Sequence, residues 1–309
     1  FMKENITIEV DKMNVMIVLN YNDFETTSKY LKRIQNYQSL DKIIVVDNCS
    51  PDGSYEKLLK YSNEKIDIIQ TDVNGGYASG NNYGINYADR KYDIRNIIIS
   101  NPDIVVSDSS IFKFEEFLSI EHEAVVVTGV IYNNQNEIVN NFAWKLPSFR
   151  RLVLGCFIFT SKFLEYISNG SNYSKNYIIG KDNVCVDVVP GCFFVIKKQF
   201  FKEINYFDSD TFLFYEENIL SHKIKELNRK AYILTSEKII HEESVSINKS
   251  IQSTKRKLEL LYESSLVYME KYLRVTKLQK SVYKLCYKFF IYEYLGINKT
   301  RKILNSKLK

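Results

Sequence analysis

Four short apolar runs, each released into a polar loop, constrain this chain more than any other feature. They are Val15-Met16-Ile17-Val18-Leu19, Lys42-Ile43-Ile44-Val45-Val46, Ile66-Asp67-Ile68-Ile69-Gln70 and Ile97-Ile98-Ile99-Ser100. Runs of this length, rich in β-branched residues, are what strands buried on both faces look like in sequence. Between the first two, Tyr30, Leu31, Ile34 and Tyr37 fall at helical spacing within Thr26–Gln38. Tyr55–Ser62 and a segment reaching Ala88 supply two more helices. A β-α-β-α-β-α-β alternation predicts a parallel sheet with right-handed crossovers. Such sheets bind ligands beyond the carboxyl ends of their strands.

The loops at those ends carry the chemistry. Asp47 can accept a hydrogen bond from a base or ribose, and Ser50, Asp52 and Gly53 form a turn ahead of a helix whose amides could face an anion. Asn74–Gly84 holds four glycines, which permit close approach of backbone to a ligand. It has neither the G-K-[ST] of a P-loop nor the dinucleotide spacing, so it names no ligand. The fourth run stops at Asn101-Pro102-Asp103, because Pro cannot donate to a sheet ladder. The tripeptide is ordinary turn chemistry, yet its carboxylate is also a hard oxygen ligand suited to Mg²⁺ or Mn²⁺ beside a diphosphate. Further on, Glu216-Glu217 open a helix after Phe212-Leu213-Phe214-Tyr215. Carboxylates beside apolar rings acquire raised pKa values, which suits a general base, while the helix dipole pulls the other way. His241 ends an apolar strand with an imidazole, a common ligand of Mn²⁺-type sites.

The remainder is less regular. Strands are expected at Ala124–Tyr132, Val186–Val189, Phe193–Ile196, Ala231–Leu234 and Lys238–His241, with helices at Gln199–Ile204 and Glu216–Asn228. Loops are expected at Asn133–Asn141 and Gly170–Lys175, and beyond Lys249 the pattern is helical without a turn signal before Gly296. Charge divides the chain: residues 249–309 carry 15 Lys+Arg against 4 Asp+Glu, whereas the rest is mildly acidic. Five cysteines without a C-x-x-C pair argue for reduced thiols in a cytosolic setting rather than a metal cluster. No apolar run approaches the ~18–20 residues that span a bilayer. Charged and polar residues interrupt Met2–Lys12, so no signal peptide is expected.

Taken in order, V-L-N-Y-N-D (18–23), V-V-D-N-C-S-P-D-G-S (45–54), N-G-G-Y-A-S-G-N-N-Y-G (74–84), S-N-P-D (100–103), P-G-C-F-F-V-I-K-K-Q-F-F (190–201) and F-D-S-D-T-F-L-F-Y-E-E (207–217), followed by His241, form a recognisable set. Over about residues 13–246 it resembles the family 2 inverting glycosyltransferases of GT-A fold, and among them the bacterial rhamnosyltransferase-like branch. The resemblance implies an α/β domain over 1–248, with a Rossmann-like, mostly parallel central sheet flanked by helices. Within it lie a nucleotide half, 13–103, and an acceptor and catalytic half, 104–248; a basic amphipathic helical extension, 249–309, follows. Asn20 and Asp47 would contact the nucleoside, and Asn74, Gly80, Asn81 and Asn101 would belong to the nucleotide site. Asp103 matches the last carboxylate of the family's D-x-D metal motif, and His241 the C-terminal His near metal or diphosphate. Glu217 stands where the family's E-D motif has Asp, and Ile219 where many relatives have a further Asp. With these two departures, Glu216 could share or take the role of base.

The implied reaction moves a sugar, with inversion, from dTDP-rhamnose or a UDP-hexose to a glycan or lipid-linked saccharide in bacterial surface polysaccharide synthesis, with Mg²⁺ or Mn²⁺ as cofactor. Two other readings stand beside it. A sugar-1-phosphate nucleotidyltransferase would want a basic Gly-rich loop where Asn20-Tyr21-Asn22-Asp23 stands. A catalytically degenerate nucleotide-sugar binder would fit the departures at Glu217 and Ile219. The stretch 255–295 can pack an apolar stripe on the body or lie on an anionic membrane surface. The second use places the protein in the cytoplasm, peripheral on the inner face of the plasma membrane. Nucleic acid is not an expected partner, since the tail carries no recognised binding motif.

Overall fold

In the computed structural model, which describes residues 12–157, 171–242 and 253–307, the four apolar runs are strands β1 (Met13–Asn20), β2 (Lys42–Asp47), β3 (Ile66–Gln70) and β4 (Ile94–Ser100). They lie parallel in the order β3-β2-β1-β4. Val15–Val18, Ile43–Val46 and Ile97–Ile99 are buried, each such side chain contributing ~1.5–3 kcal/mol. Helices α1 (Phe24–Ile34), α2 (Ser54–Leu58) and α3 (Gly76–Lys91) connect them. Register sets Asn20 beside Asp47 and Asp47 beside Gln70, so polar residues align at the carboxyl edge.

The stretch expected as a glycine loop is mostly helix, because α3 begins at Gly76. The reason is packing. A Cβ on Gly80 would fall 2.5 Å from Leu19 Cδ1, so this glycine lets the helix lie close against the sheet.

Beyond β4 the sheet changes direction. Strands β5 (Ile104–Val105), β6 (Ala124–Tyr132), β7 (Asn183–Val186), β8 (Phe193–Lys197) and β9 (Lys230–His241) extend it as β4-β8-β6-β9-β5, with β7 on β9. Strand β8 runs antiparallel to β4 and β6, while β9 is parallel to β6. The strands expected at 231–234 and 238–241 are one, bridged by an irregularity opposite Gly129 and Val130. Helices α4 (Asp108–Ile120), α5 (Phe149–Gly155), α6 (Lys198–Glu203) and α7 (Glu216–Glu226) complete the body. The expected strand at 186–189 lies instead at Asn183–Val186. Neither β5 nor α4 is anticipated from sequence: apolar Phe112 and Ile120 point outward on α4 and blur its periodicity.

The tail forms α8 (Thr254–Val267), a π-helical turn at Tyr268–Tyr272 and α9 (Lys277–Lys307). Its break comes at Arg274, whose φ is 50°, and Gly296 lies inside α9. Met269, Tyr283 and Tyr287 build a second core with Cys156, against Leu152 and Val153 of α5. The expected boundary at 248–249 and Gly170 lie outside the described residues. Among the described residues, no helix is long and apolar enough to cross a membrane.

Candidate active site

The carboxyl edge opens on a cavity of about 500 Å³. Asn48, Asn74, Tyr77 and Asn101 line it from the first half of the chain, and Trp144, Gly191, Glu216, Glu217 and His241 from the second.

The two glutamates sit in the first turn of α7, straight after Phe214 and Tyr215 with φ of 72° and 70°. Consecutive left-handed aromatic residues are strained by about 1–3 kcal/mol each and persist only where neighbours fix them. The fixing bonds are visible. Phe212 O accepts from Tyr77 N at 2.8 Å, and Leu213 O accepts from Ser264 Oγ at 2.8 Å. Gly76 makes room for that contact, with φ of 86° and a would-be Cβ 2.0 Å from Phe212 O. Glu217 Oε1 accepts from Gly191 N at 3.3 Å, whereas buried Glu216 Oε1 has no hydrogen-bond partner. Burial raises both carboxyls above the usual range. Glu216 is pushed further by the charge of Glu217 and eased by one backbone amide, while two backbone amides offset part of the effect at Glu217.

Asp103 is buried at the β4–β5 turn, and His241 is its neighbour through the pairing of Ile104 with His241. Asp103 Oδ2 lies 3.3 Å from His241 Nε2. Neither that nitrogen nor Asp103 Oδ1 has a hydrogen-bond partner. A carboxylate and an imidazole with unsatisfied lone-pair atoms are donors that suit Mg²⁺ or Mn²⁺. Among the described residues no third His, Cys, Asp or Glu joins them, so this is a two-donor set.

The nucleotide candidates separate. Asn74 and Asn101 line the cavity. Asn20 and Asp47 are buried and bonded to each other, Asn20 Nδ2 donating to Asp47 Oδ2 at 2.8 Å. Ser50 N at 2.9 Å and Gln70 Nε2 at 3.2 Å donate to the other oxygen of Asp47. Gly80 packs on Leu19, and Asn81 donates to Tyr77 O at 2.9 Å. Sequence reading passed over three lining residues. Tyr77 donates to Gly191 O at 2.7 Å and ties the halves of the chain together. Asn48 donates to Asn74 Oδ1 at 2.9 Å. Trp144 donates from Nε1 to Asn218 Oδ1 at 2.8 Å, pinning the wall beside α7.

A parallel nucleotide-type half continued by a mixed half, with carboxylates on the carboxyl edge, is the GT-A architecture. The model of Glycosyl transferase family 2 matches residues 15–204, and the chain belongs to that family. Among curated proteins, it is 24% identical over 222 residues to the low-salt glycan biosynthesis hexosyltransferase Agl10 of Haloferax volcanii, covering 71% of this chain and 63% of that protein. The chain therefore spans less than two thirds of that relative. Among solved structures, GalNAc-T7 with UDP, GalNAc and Mn²⁺ superposes with a TM-score of 0.54 at 14% identity, over 76% of this chain and 44% of that one. S. aureus TarS 1-349, also solved in complex with UDP, gives 0.51 at 14% identity, over 90% and 80%. At that identity the two structures speak to the fold alone.

Proposed function

We propose that the chain transfers a hexosyl group, with inversion, from a nucleotide-diphosphate sugar to a hydroxyl of a glycan or lipid-linked saccharide, with Glu217 as general base. The observation that carries this reading is the Glu217 carboxylate, half-buried at the cavity and held by the Gly191 amide. Two carboxyls this close in apolar surroundings do not ionise together. Glu217 has two backbone amides for its charge, its own and that of Gly191, whereas Glu216 has one and an unpartnered Oε1 and is raised further by its neighbour's charge. Glu217 is therefore the carboxylate and Glu216 keeps its proton. Glu217 takes the proton of the acceptor hydroxyl as that oxygen bonds to the anomeric carbon and the bond to the diphosphate breaks. A base so placed is worth ~10²–10⁴-fold. Asn74 and Asn101 would meet the nucleotide, and Asn20 and Asp47 would hold the edge on which the nucleoside rests. Asp103 and His241 would hold Mg²⁺ or Mn²⁺, whose charge offsets that of the leaving diphosphate.

UDP-hexoses are the first donors to test, since both solved neighbours hold UDP and the Haloferax relative is a hexosyltransferase. The motif set makes dTDP-rhamnose the second, and with it a role in bacterial surface polysaccharide synthesis. The test is incubation with each donor and a glycan or lipid-linked acceptor, with Mn²⁺, Mg²⁺ or chelator, read as nucleoside diphosphate released. Release that needs metal, and that Asp103→Asn removes, is the expected result. No release from any donor with metal present overturns the reading in favour of a binding-only protein.

A further inference from the structure

We propose that the outward face of α9 is a docking surface for an anionic lipid bilayer. The helix has two apolar faces. The inner one, with Tyr283, Tyr287 and Phe290, packs against Tyr262 and the second core. The outer one is Leu278, Val282, Leu285, Phe289 and Tyr292, respectively 74, 41, 59, 59 and 68% exposed. Their 4-3-4-3 spacing keeps them in a single stripe, about 21 Å long at ~1.5 Å per residue. Scattered exposed apolar side chains need no explanation, but a continuous stripe marks an interaction surface. The fold does not require this one, because α9 already buries its inner face.

Charge selects the occupant. Exposed Lys277, Lys284 and Lys288 run along one flank of the stripe, roughly 100° round the helix from its centre at ~3.6 residues per turn, and Glu293 lies on the other flank. Residues 277–307 hold eight Lys+Arg against one Glu. A second copy laid along the stripe would bring two strongly positive helices side by side. An anionic bilayer matches both the sign and the apolar ridge, with Phe289 and Tyr292 at the depth where aromatic rings settle. The helix is not apolar enough to cross the bilayer, so it lies in the interface.

The test is sedimentation of the full chain with phosphatidylcholine vesicles and with vesicles one third phosphatidylglycerol. Two variants accompany it: Lys277→Gln/Lys284→Gln/Lys288→Gln and Leu285→Ser/Phe289→Ser. The wild type should sediment with the anionic vesicles only. At ~1 kcal/mol per basic residue, the lysine variant should partition roughly a hundredfold less, about 3 kcal/mol at ~1.4 kcal/mol per tenfold. The apolar variant should stay in the supernatant, with an unchanged melting temperature. Equal sedimentation of wild type and lysine variant, or none of the wild type, overturns the proposal. So does concentration-dependent self-association that only Leu285→Ser/Phe289→Ser abolishes, which would put a second copy on the stripe. Donor turnover in solution is read separately, so failure here is distinguishable from failure of the catalytic reading.

Discussion

Asp47 and Asp103 stand at the carboxyl edge of the same sheet and are treated in opposite ways. Asp47 receives hydrogen bonds from Asn20, Ser50 and Gln70, and both of its oxygens are engaged. On the other side Asp103 Oδ1, His241 Nε2 and Glu216 Oε1 are buried without hydrogen-bond partners. A buried polar atom left unpaired is destabilising by about 1–3 kcal/mol, so three at one end of the sheet call for an explanation, and a ligand supplies one. Asp47 is fully paired and locks one strand end to the next. Asp103, His241 and Glu216 keep buried lone-pair atoms uncommitted.

If that contrast is right, changes on the unpartnered side strike turnover before stability. The largest effect belongs to Glu217→Gln. We expect kcat to fall ~10²–10⁴-fold with donor affinity retained, measured by steady-state turnover and nucleotide-sugar titration. Near-wild-type turnover would remove Glu217 as base and pass the role to Glu216. Next comes Gly191→Ala. Its new Cβ would fall 2.7 Å from Glu217 Oε1 and 2.9 Å from Cγ, so the carboxylate must move. A shift of this kind can lower kcat by ~10²-fold, and the donor KM should hold. A variant that lost melting temperature but kept kcat would make the Gly191 contact structural only.

The same contrast separates what was legible in sequence from what was not. Strand ends were legible because buried parallel strands must be apolar on both faces, so the first polar residue marks the edge. Asp47, Asp103 and His241 were found that way. Glycine was ambiguous, since close approach to a ligand and close packing of helix on sheet use the same residue. Gly80 belongs to the second case, against Leu19. Tyr77 was hidden by abundance, as one of 23 tyrosines. Trp144, the sole tryptophan, was the available signal for the far wall, but it sits just past a stretch read as polar loop. The tail's two faces were merged because aromatic residues occur on both, and only exposure tells Tyr287 from Phe289.

The smallest expected effect on turnover divides the pair itself. If Glu216 holds its proton at working pH, Glu216→Gln replaces a neutral acid with a neutral amide. Turnover then stays within a fewfold of wild type, and its loss at low pH still follows protonation of Glu217. Stability is where the variant differs. Burial and the charge of Glu217 raise the Glu216 pKa in the folded state, so the native chain binds that proton more tightly than the unfolded one. The stability this contributes is fully present below the ordinary carboxylate range and is lost as pH rises towards the raised pKa. Glutamine has no proton to lose. The melting temperature of Glu216→Gln relative to wild type should therefore climb as pH rises above the ordinary carboxylate range and level off beyond the raised pKa, in a buffered melting series. A flat difference would mean that Glu216 is ionised throughout. Loss of turnover equal to that of Glu217→Gln would reverse the two roles and move the base to Glu216.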